Sequence, residues 1–144
     1  MLCAALATGG CSSGAVDVEV PQPGPSVRAV CERLAARLPE QVQGQQRRDV
    51  EPSGPLVAAW GDPAIVLRCG VSRPPLDLTG EQPDLEVNGV GWQPIRTADG
   101  YVFTTVGRQV YVELRVPAKY APEVNPLVDL ASPVQKAVPT GSAG

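Results

Sequence analysis

Two cysteines, Cys31 and Cys69, constrain the folding of this chain more than any other feature, because each falls on the apolar face of a different element. Val27, Val30, Cys31, Leu34 and Leu38 form one stripe at helical spacing, while Arg28, Glu32, Arg33 and Arg37 face water. Ser26 is the expected cap of that helix and Pro39 its expected stop. The run Ala64–Val71 follows the turn residues Gly61, Asp62 and Pro63, and it is short, apolar and β-branched, which suits a strand. Its alternation puts Ile65, Leu67, Cys69 and Val71 on one face, and Ala64, Val66, Arg68 and Gly70 on the other. The other two cysteines, Cys3 and Cys11, belong to an N-terminal leader. Cys31 and Cys69 are not in a C-x-x-C arrangement, so we expect neither a redox dithiol nor a zinc site. The expected product is a structural disulfide pinning helix to strand.

The leader is read from residues 1–16, MLCAALATGGCSSGAV, which carry no charge and begin with an apolar run. Thr8-Gly9-Gly10-Cys11 places small residues immediately before a cysteine, the pattern of a bacterial lipoprotein cleavage site in which Cys11 is lipidated. The competing reading is an ordinary apolar leader or a shortened membrane anchor, with Cys11 incidental. No basic stretch precedes the apolar run, and we therefore expect the natural start to lie upstream. Residues 17–25, DVEVPQPGP, read as a Pro-rich spacer, residues 26–139 as a single globular domain, and residues 140–144 as a tail.

Composition narrows the functions open to that domain. The hydrophobic content of 43% supports a core, and an aromatic content of only 4% makes that core aliphatic. A net charge of −3 gives no footprint for nucleic acid. Histidine is absent, which excludes a His-dependent triad, a His-ligated metal and a His pH switch. Asp77, Glu81, Asp84 and Glu86 in the polar loop are candidate calcium ligands, but their spacing matches no defined coordination loop and a solvated loop is favoured. No cofactor and no metal are expected.

The remaining chain is mostly β. Gln45–Glu51 and Leu56–Trp60 are candidate strands separated by Pro52-Ser53-Gly54-Pro55. LEVNGVGW carries a hairpin turn at Asn88-Gly89. Gly91–Arg96, Tyr101–Val106 and Gln109–Val116 read as a three-stranded meander. In the last of these, Val110, Val112, Leu114 and Val116 share a core face, while Gln109, Tyr111, Glu113 and Arg115 share a wet one. Asn125-Pro126 and Ser132-Pro133 each resemble a cap with a first-turn proline, predicting two short helices, Leu127–Ala131 and Val134–Val138. The expected fold is α+β: an antiparallel sheet of about five or six strands, the disulfide-tethered helix on one face, and short C-terminal helices nearby.

With these segments in view, the chain resembles a family of small actinobacterial exported proteins known as domain of unknown function 3515, through CERLAARLP, LVAAWGDPAIVLRCGVSRP, VNGVGW, FTTVGR and LVDLASPV. Gly91 stands where the family commonly has Asp. The resemblance implies a location in the cell envelope and carries no activity, cofactor or catalytic residue.

Two functional readings follow. The first is a non-catalytic binding or scaffolding module, anchored by its N-terminal lipid or signal segment to the outer face of the cell membrane and contacting an envelope protein or glycan. Its candidate contact residues are Trp60, Asp62, Arg68, Arg108 and Tyr111. For Trp60 the alternative is a core position, for Asp62 a turn residue, and for Arg108 an exposed turn arginine. The second reading is a small His-independent envelope hydrolase built on carboxylates, with Asp62 as one member of the pair. Nothing in the sequence supplies its second member, so the binding module is preferred.

Overall fold

The chain as seen in a computed structural model is described over residues 14–76 and 82–143. Its elements in order are β1 (Val16–Asp17), α1 (Pro25–Ala35), β2 (Gln41–Val42), β3 (Gln45–Arg48), β4 (Val50–Glu51), β5 (Val57–Trp60) and β6 (Ile65–Cys69). They continue with β7 (Leu85–Val87), β8 (Val90–Thr97), β9 (Gly100–Val106), β10 (Val112–Pro117), a 3-10 turn at Ala118–Tyr120 and α2 (Asn125–Ala137). Eight strands form one sheet in the order β2-β3-β5-β6-β10-β9-β8-β7, with every neighbouring pair antiparallel. β1 and β4 make a separate two-stranded parallel ribbon. The α+β class with a large antiparallel sheet is therefore as expected, and the sheet is wider than the five or six strands the sequence suggested.

One face of the sheet carries the core. Trp60, Ile65, Leu67, Cys69, Trp92, Phe103, Val112, Leu114 and Val116 pack there with Val30, Cys31 and Leu34 of α1 and Leu127, Leu130 and Val134 of α2. Cys31 and Cys69 are joined by a disulfide, their Cα atoms 5.7 Å apart. α1 begins earlier and ends earlier than Ser26 and Pro39 implied. Gly24 is its cap, and Pro25 occupies the first turn, where a missing N–H costs nothing. The helix closes at Ala36, whose N–H bonds the Glu32 carbonyl.

The C-terminal region forms one helix, not two. α2 runs through Pro133 without a break. An interior proline costs about 3 kcal/mol, and burial outweighs it here. Leu127, Leu130, Val134 and Pro133 itself are buried on the same stripe, and a fully buried aliphatic side chain contributes roughly 1.5–3 kcal/mol.

The described segments flanking the domain on both sides are tied to it. Residues 17–25 do not stand off as a free spacer: β1 pairs with β4, Val18 is buried, and the Glu19 carbonyl accepts a bond from Arg68. At the other end, Gln109 N–H bonds the Pro139 carbonyl and Gly141 N–H bonds that of Gly107, so residues 139–141 are held against the β9–β10 connection. Cys3 and Cys11 lie outside the described residues.

Turn chemistry sets the hairpins. Asn88 and Gly89 both have positive φ, 49° and 84°, as a two-residue type I′ turn requires. At Gly100 the chain passes so close to β10 that a Cβ would lie 2.1 Å from the Val116 carbonyl oxygen and 2.8 Å from the Ala118 nitrogen.

Two stability measurements follow. Gly100→Ala is expected to destabilise the domain by about 3 kcal/mol or more in chemical denaturation, since only backbone movement relieves the clash. Removing the disulfide by Cys31→Ala/Cys69→Ala releases a loop with sequence separation 38 and is expected to cost about 4 kcal/mol. The corresponding fall in melting temperature is roughly 10–15 °C. An unchanged melt would show that core packing alone holds α1 in place.

Candidate functional site

The opposite face of the sheet is left without a helix, and strand register arranges its side chains in rows. Across β5, β6, β10, β9 and β8 one row reads Val57, Arg68, Glu113, Thr104 and Gln93. The next row reads Ala59, Val66, Arg115, Val102 and Ile95. A polar row thus lies beside a mainly apolar row that contains one arginine. Segments 19–24 and 70–75 also line this face, around an open groove of about 790 Å³.

Glu113 organises the charges in this groove. Its carboxylate accepts two bonds from Arg68, from Nε at 2.9 Å and from Nη2 at 3.1 Å, a fork geometry that a lysine cannot reproduce. Oε1 also accepts a bond from Arg115 Nε at 2.9 Å. Burial works to raise the Glu113 pKa, but the hydrogen bonds and charges of Arg68 and Arg115 outweigh it, and the net shift is downward. The carboxylate is therefore held ionised. Arg68 spends its remaining edge on the N-terminal segment, where Nη1 bonds the Glu19 carbonyl at 3.3 Å. Arg115 commits only its Nε among the described residues, and its side chain is 56% exposed.

The five residues singled out from the sequence are scattered. Arg68 and Tyr111 line the groove. Tyr111 also borders a smaller adjoining hollow of about 440 Å³ that includes Arg108. Arg108 is not an exposed turn arginine: it is buried, with Nη1 donating to the Val138 carbonyl at 2.8 Å and Nη2 to that of Gly89 at 3.2 Å. It clamps the chain end to the β7–β8 turn. Trp60 is fully buried, and its Nε1 donates to the Pro39 carbonyl, so it serves the core and offers no surface contact.

Asp62 sits far along the sheet from Arg68. Its carboxylate is exposed and 3.9 Å from Arg48 Nη1. The turn it belongs to is locked from outside: Arg48 Nη1 donates to the Gly61 carbonyl, Lys119 Nζ to that of Asp62 and Tyr120 Oη to that of Pro63. Burial chiefly, and the Asp62 charge secondarily, raise the Tyr120 pKa. The distinctive run WGDP is thus an architectural corner.

Glu113, Arg115, Thr104 and Gln93 were not singled out from the sequence. The available signal was the alternation in β10, which already put Glu113 and Arg115 on the face of Tyr111. The missing piece was the β6–β10 register. Of the calcium candidates, Asp77 and Glu81 lie outside the described residues. Among the described residues no group of three or more His, Cys, Asp or Glu side chains is placed to hold a metal.

An eight-stranded antiparallel sheet, covered by two helices on one face and grooved on the other, defines an α+β domain with an open polar surface. The chain belongs to the family described as Protein of unknown function (DUF3515), which it matches over residues 1–143. No curated protein and no solved structure matches it. No helix among the described residues is long and apolar enough to cross a membrane. The disulfide points to an oxidising, extracytoplasmic setting.

The ion cluster makes a pH-dependent contribution of known sign. Because the folded-state pKa of Glu113 is depressed, its contribution is complete above the unfolded carboxylate value, near about 4.3, and is lost as pH falls through the lower folded value. Glu113→Gln should lower stability at pH 7 by about 2 kcal/mol, because Arg68 is left half-buried without its counter-ion. Denaturant titrations from pH 7 to acid should show a shallower loss of stability below about pH 4.3 in the variant than in the parent.

Proposed function

We propose that this protein is a non-catalytic binding or scaffolding module of the cell envelope, exported and held by lipid on Cys11 at the outer face of the membrane. Its contact surface in this reading is the open face of the sheet around Arg68, Glu113, Arg115 and Tyr111, and its partner an envelope protein or glycan. The observation that carries the reading is the asymmetry of the sheet. Both helices share one face, while the other keeps a fixed guanidinium–carboxylate cluster beside half-exposed Val66, Val102 and Ile95. Surfaces that combine an ordered charge array with apolar area and a flanking tyrosine suit recognition. The leader pattern and the disulfide support an extracytoplasmic site of action.

A carboxylate-based hydrolase draws no support from the groove. Its lining carboxylates among the described residues are Glu113, held ionised below the usual range, and Glu19, which is almost fully exposed. A general acid needs a carboxyl whose pKa is raised.

Mass spectrometry of the protein from its native membrane should find Cys11 as the acylated N-terminus, with globomycin blocking that processing. An unmodified Cys11 sinks the lipid anchor. A photocrosslinking residue at position 111, in intact cells, should yield a discrete adduct, whereas one placed at exposed Lys136 should not. Loss of any difference between the two positions sinks the assignment of the face.

A further inference from the structure

We infer that the groove on the open face binds a small amphipathic oxyanion, a single carboxylate or phosphate head carried on an apolar body. This rests on the binding reading above and supplies the chemistry of the ligand.

Charge balance comes first. Among the described residues of the groove lining, three guanidiniums, Arg68, Arg73 and Arg115, face two carboxylates, Glu19 and Glu113, an excess of one positive charge. The chain as a whole carries −3, so this excess is local to the groove. Within the hydrogen-bonded cluster Arg68 and Arg115 share the single carboxylate of Glu113, and the almost fully exposed Glu19 carboxylate stands 3.9 Å from Arg68 Nη1. One surplus cation matches one anionic head.

Geometry then says which group meets it. Arg68 is occupied on both edges, by Glu113 and by the Glu19 carbonyl. Arg115 is held at Nε by Glu113, which anchors one edge of its guanidinium, and its two Nη groups make no hydrogen bond among the described residues. An arginine positioned at one corner with its outer edge open is suited to fork-like pairing with a carboxylate or phosphate. Pre-positioning by Glu113 also reduces the rotamer entropy lost on binding.

The surroundings define the rest of the ligand. Arg115 lies between Val66 of β6 and Val102 of β9 in the same row, with Ile95 of β8 beyond. All three are half-exposed. An anionic head at Arg115 would therefore place an attached apolar body along the Val102–Ile95 side. The volume of about 790 Å³ falls within the range of roughly 300–1,000 Å³ typical of small-molecule sites.

The test uses 8-anilinonaphthalene-1-sulfonate, a fluorescent amphipathic anion, with the native disulfide-intact protein at neutral pH. We expect saturable binding to a single site, displaced by octanoate or by octyl phosphate, the relative potency of the two naming the preferred head. Arg115→Gln, at an exposed position, should weaken binding about tenfold while lowering the melting temperature by no more than about 5 °C. Lys136→Gln removes the same charge on α2 and should leave binding unaltered. The neutral analogue N-phenyl-1-naphthylamine should bind at least tenfold more weakly than the anion. Absence of saturable binding, equal binding of the neutral probe, or equal effects of the two charge-removing variants would overturn the inference. If it fails while the adduct from position 111 persists in cells, the face still binds a partner and only the ligand class is wrong. If that adduct is also missing, the binding reading fails with it.

Discussion

The register between β6 and β10 is the constraint on which the rest of the structure depends. Slipping one strand past the other by a single residue would turn Val112, Leu114 and Val116 out of the core and drive Glu113 and Arg115 into it. Each aliphatic side chain so lost costs roughly 1.5–3 kcal/mol, before any cost of desolvating two charges is counted. Alternation on the core face therefore fixes the pairing. The pairing in turn sets Arg68 directly opposite Glu113, at the distance where cross-strand side chains interact. The charge cluster is a consequence of the core, although none of its members belongs to the core.

What makes the cluster tolerable on a half-covered face is the division of labour around Glu113. A lone carboxylate as buried as this one would be costly. Here burial and pairing oppose each other, and pairing wins because two guanidiniums converge on one group. Arg68 is the more buried partner, and each of its three guanidinium nitrogens donates a hydrogen bond. Arg115 is the exposed partner and can leave its outer edge in water at little cost. The two arginines thus occupy the same row-and-column pattern with different consequences: one holds the N-terminal segment to the sheet, and the other faces the open groove.

Much of this was legible in the sequence where a single period ruled a segment. The stripe through Cys31, the alternation through Cys69, the Asn88-Gly89 turn and the alternation of β10 each follow one rule, and each is found. Legibility failed where two rules competed. Ser132-Pro133 has the local form of a helix start, but the burial of Leu130 and Val134 on either side keeps α2 continuous. Arg108 has the form of an exposed turn residue, but the chain end folds back and supplies its carbonyl partner 30 residues away. QQRRDVE reads as one polar strand, yet it splits at Asp49, whose carbonyl bonds Val16 N–H of the N-terminal segment. For Arg108 and Asp49 the deciding partner is distant in sequence, and no local pattern announces it. The same holds for the groove, whose rows are assembled from five strands.

The two faces of the sheet also limit what the open one can do. An apolar face without a helix would invite a second core or an aggregate; a wholly charged face would repel apolar ligands and be strongly screened by salt. This face is neither. Its polar row is internally neutralised, Arg68 against Glu113, and its neighbouring row is apolar except for Arg115, so that arginine and the half-exposed valines and isoleucine lie within one row. Two groups are stabilised in their resting charge states: Glu113 as the carboxylate and, at another corner of the sheet, Tyr120 as the neutral phenol. Groups stabilised in their resting charge state are poor acids and bases but dependable hydrogen-bonding partners. In the binding reading proposed above, the same electrostatics suit the groove to a pre-formed surface for recognition.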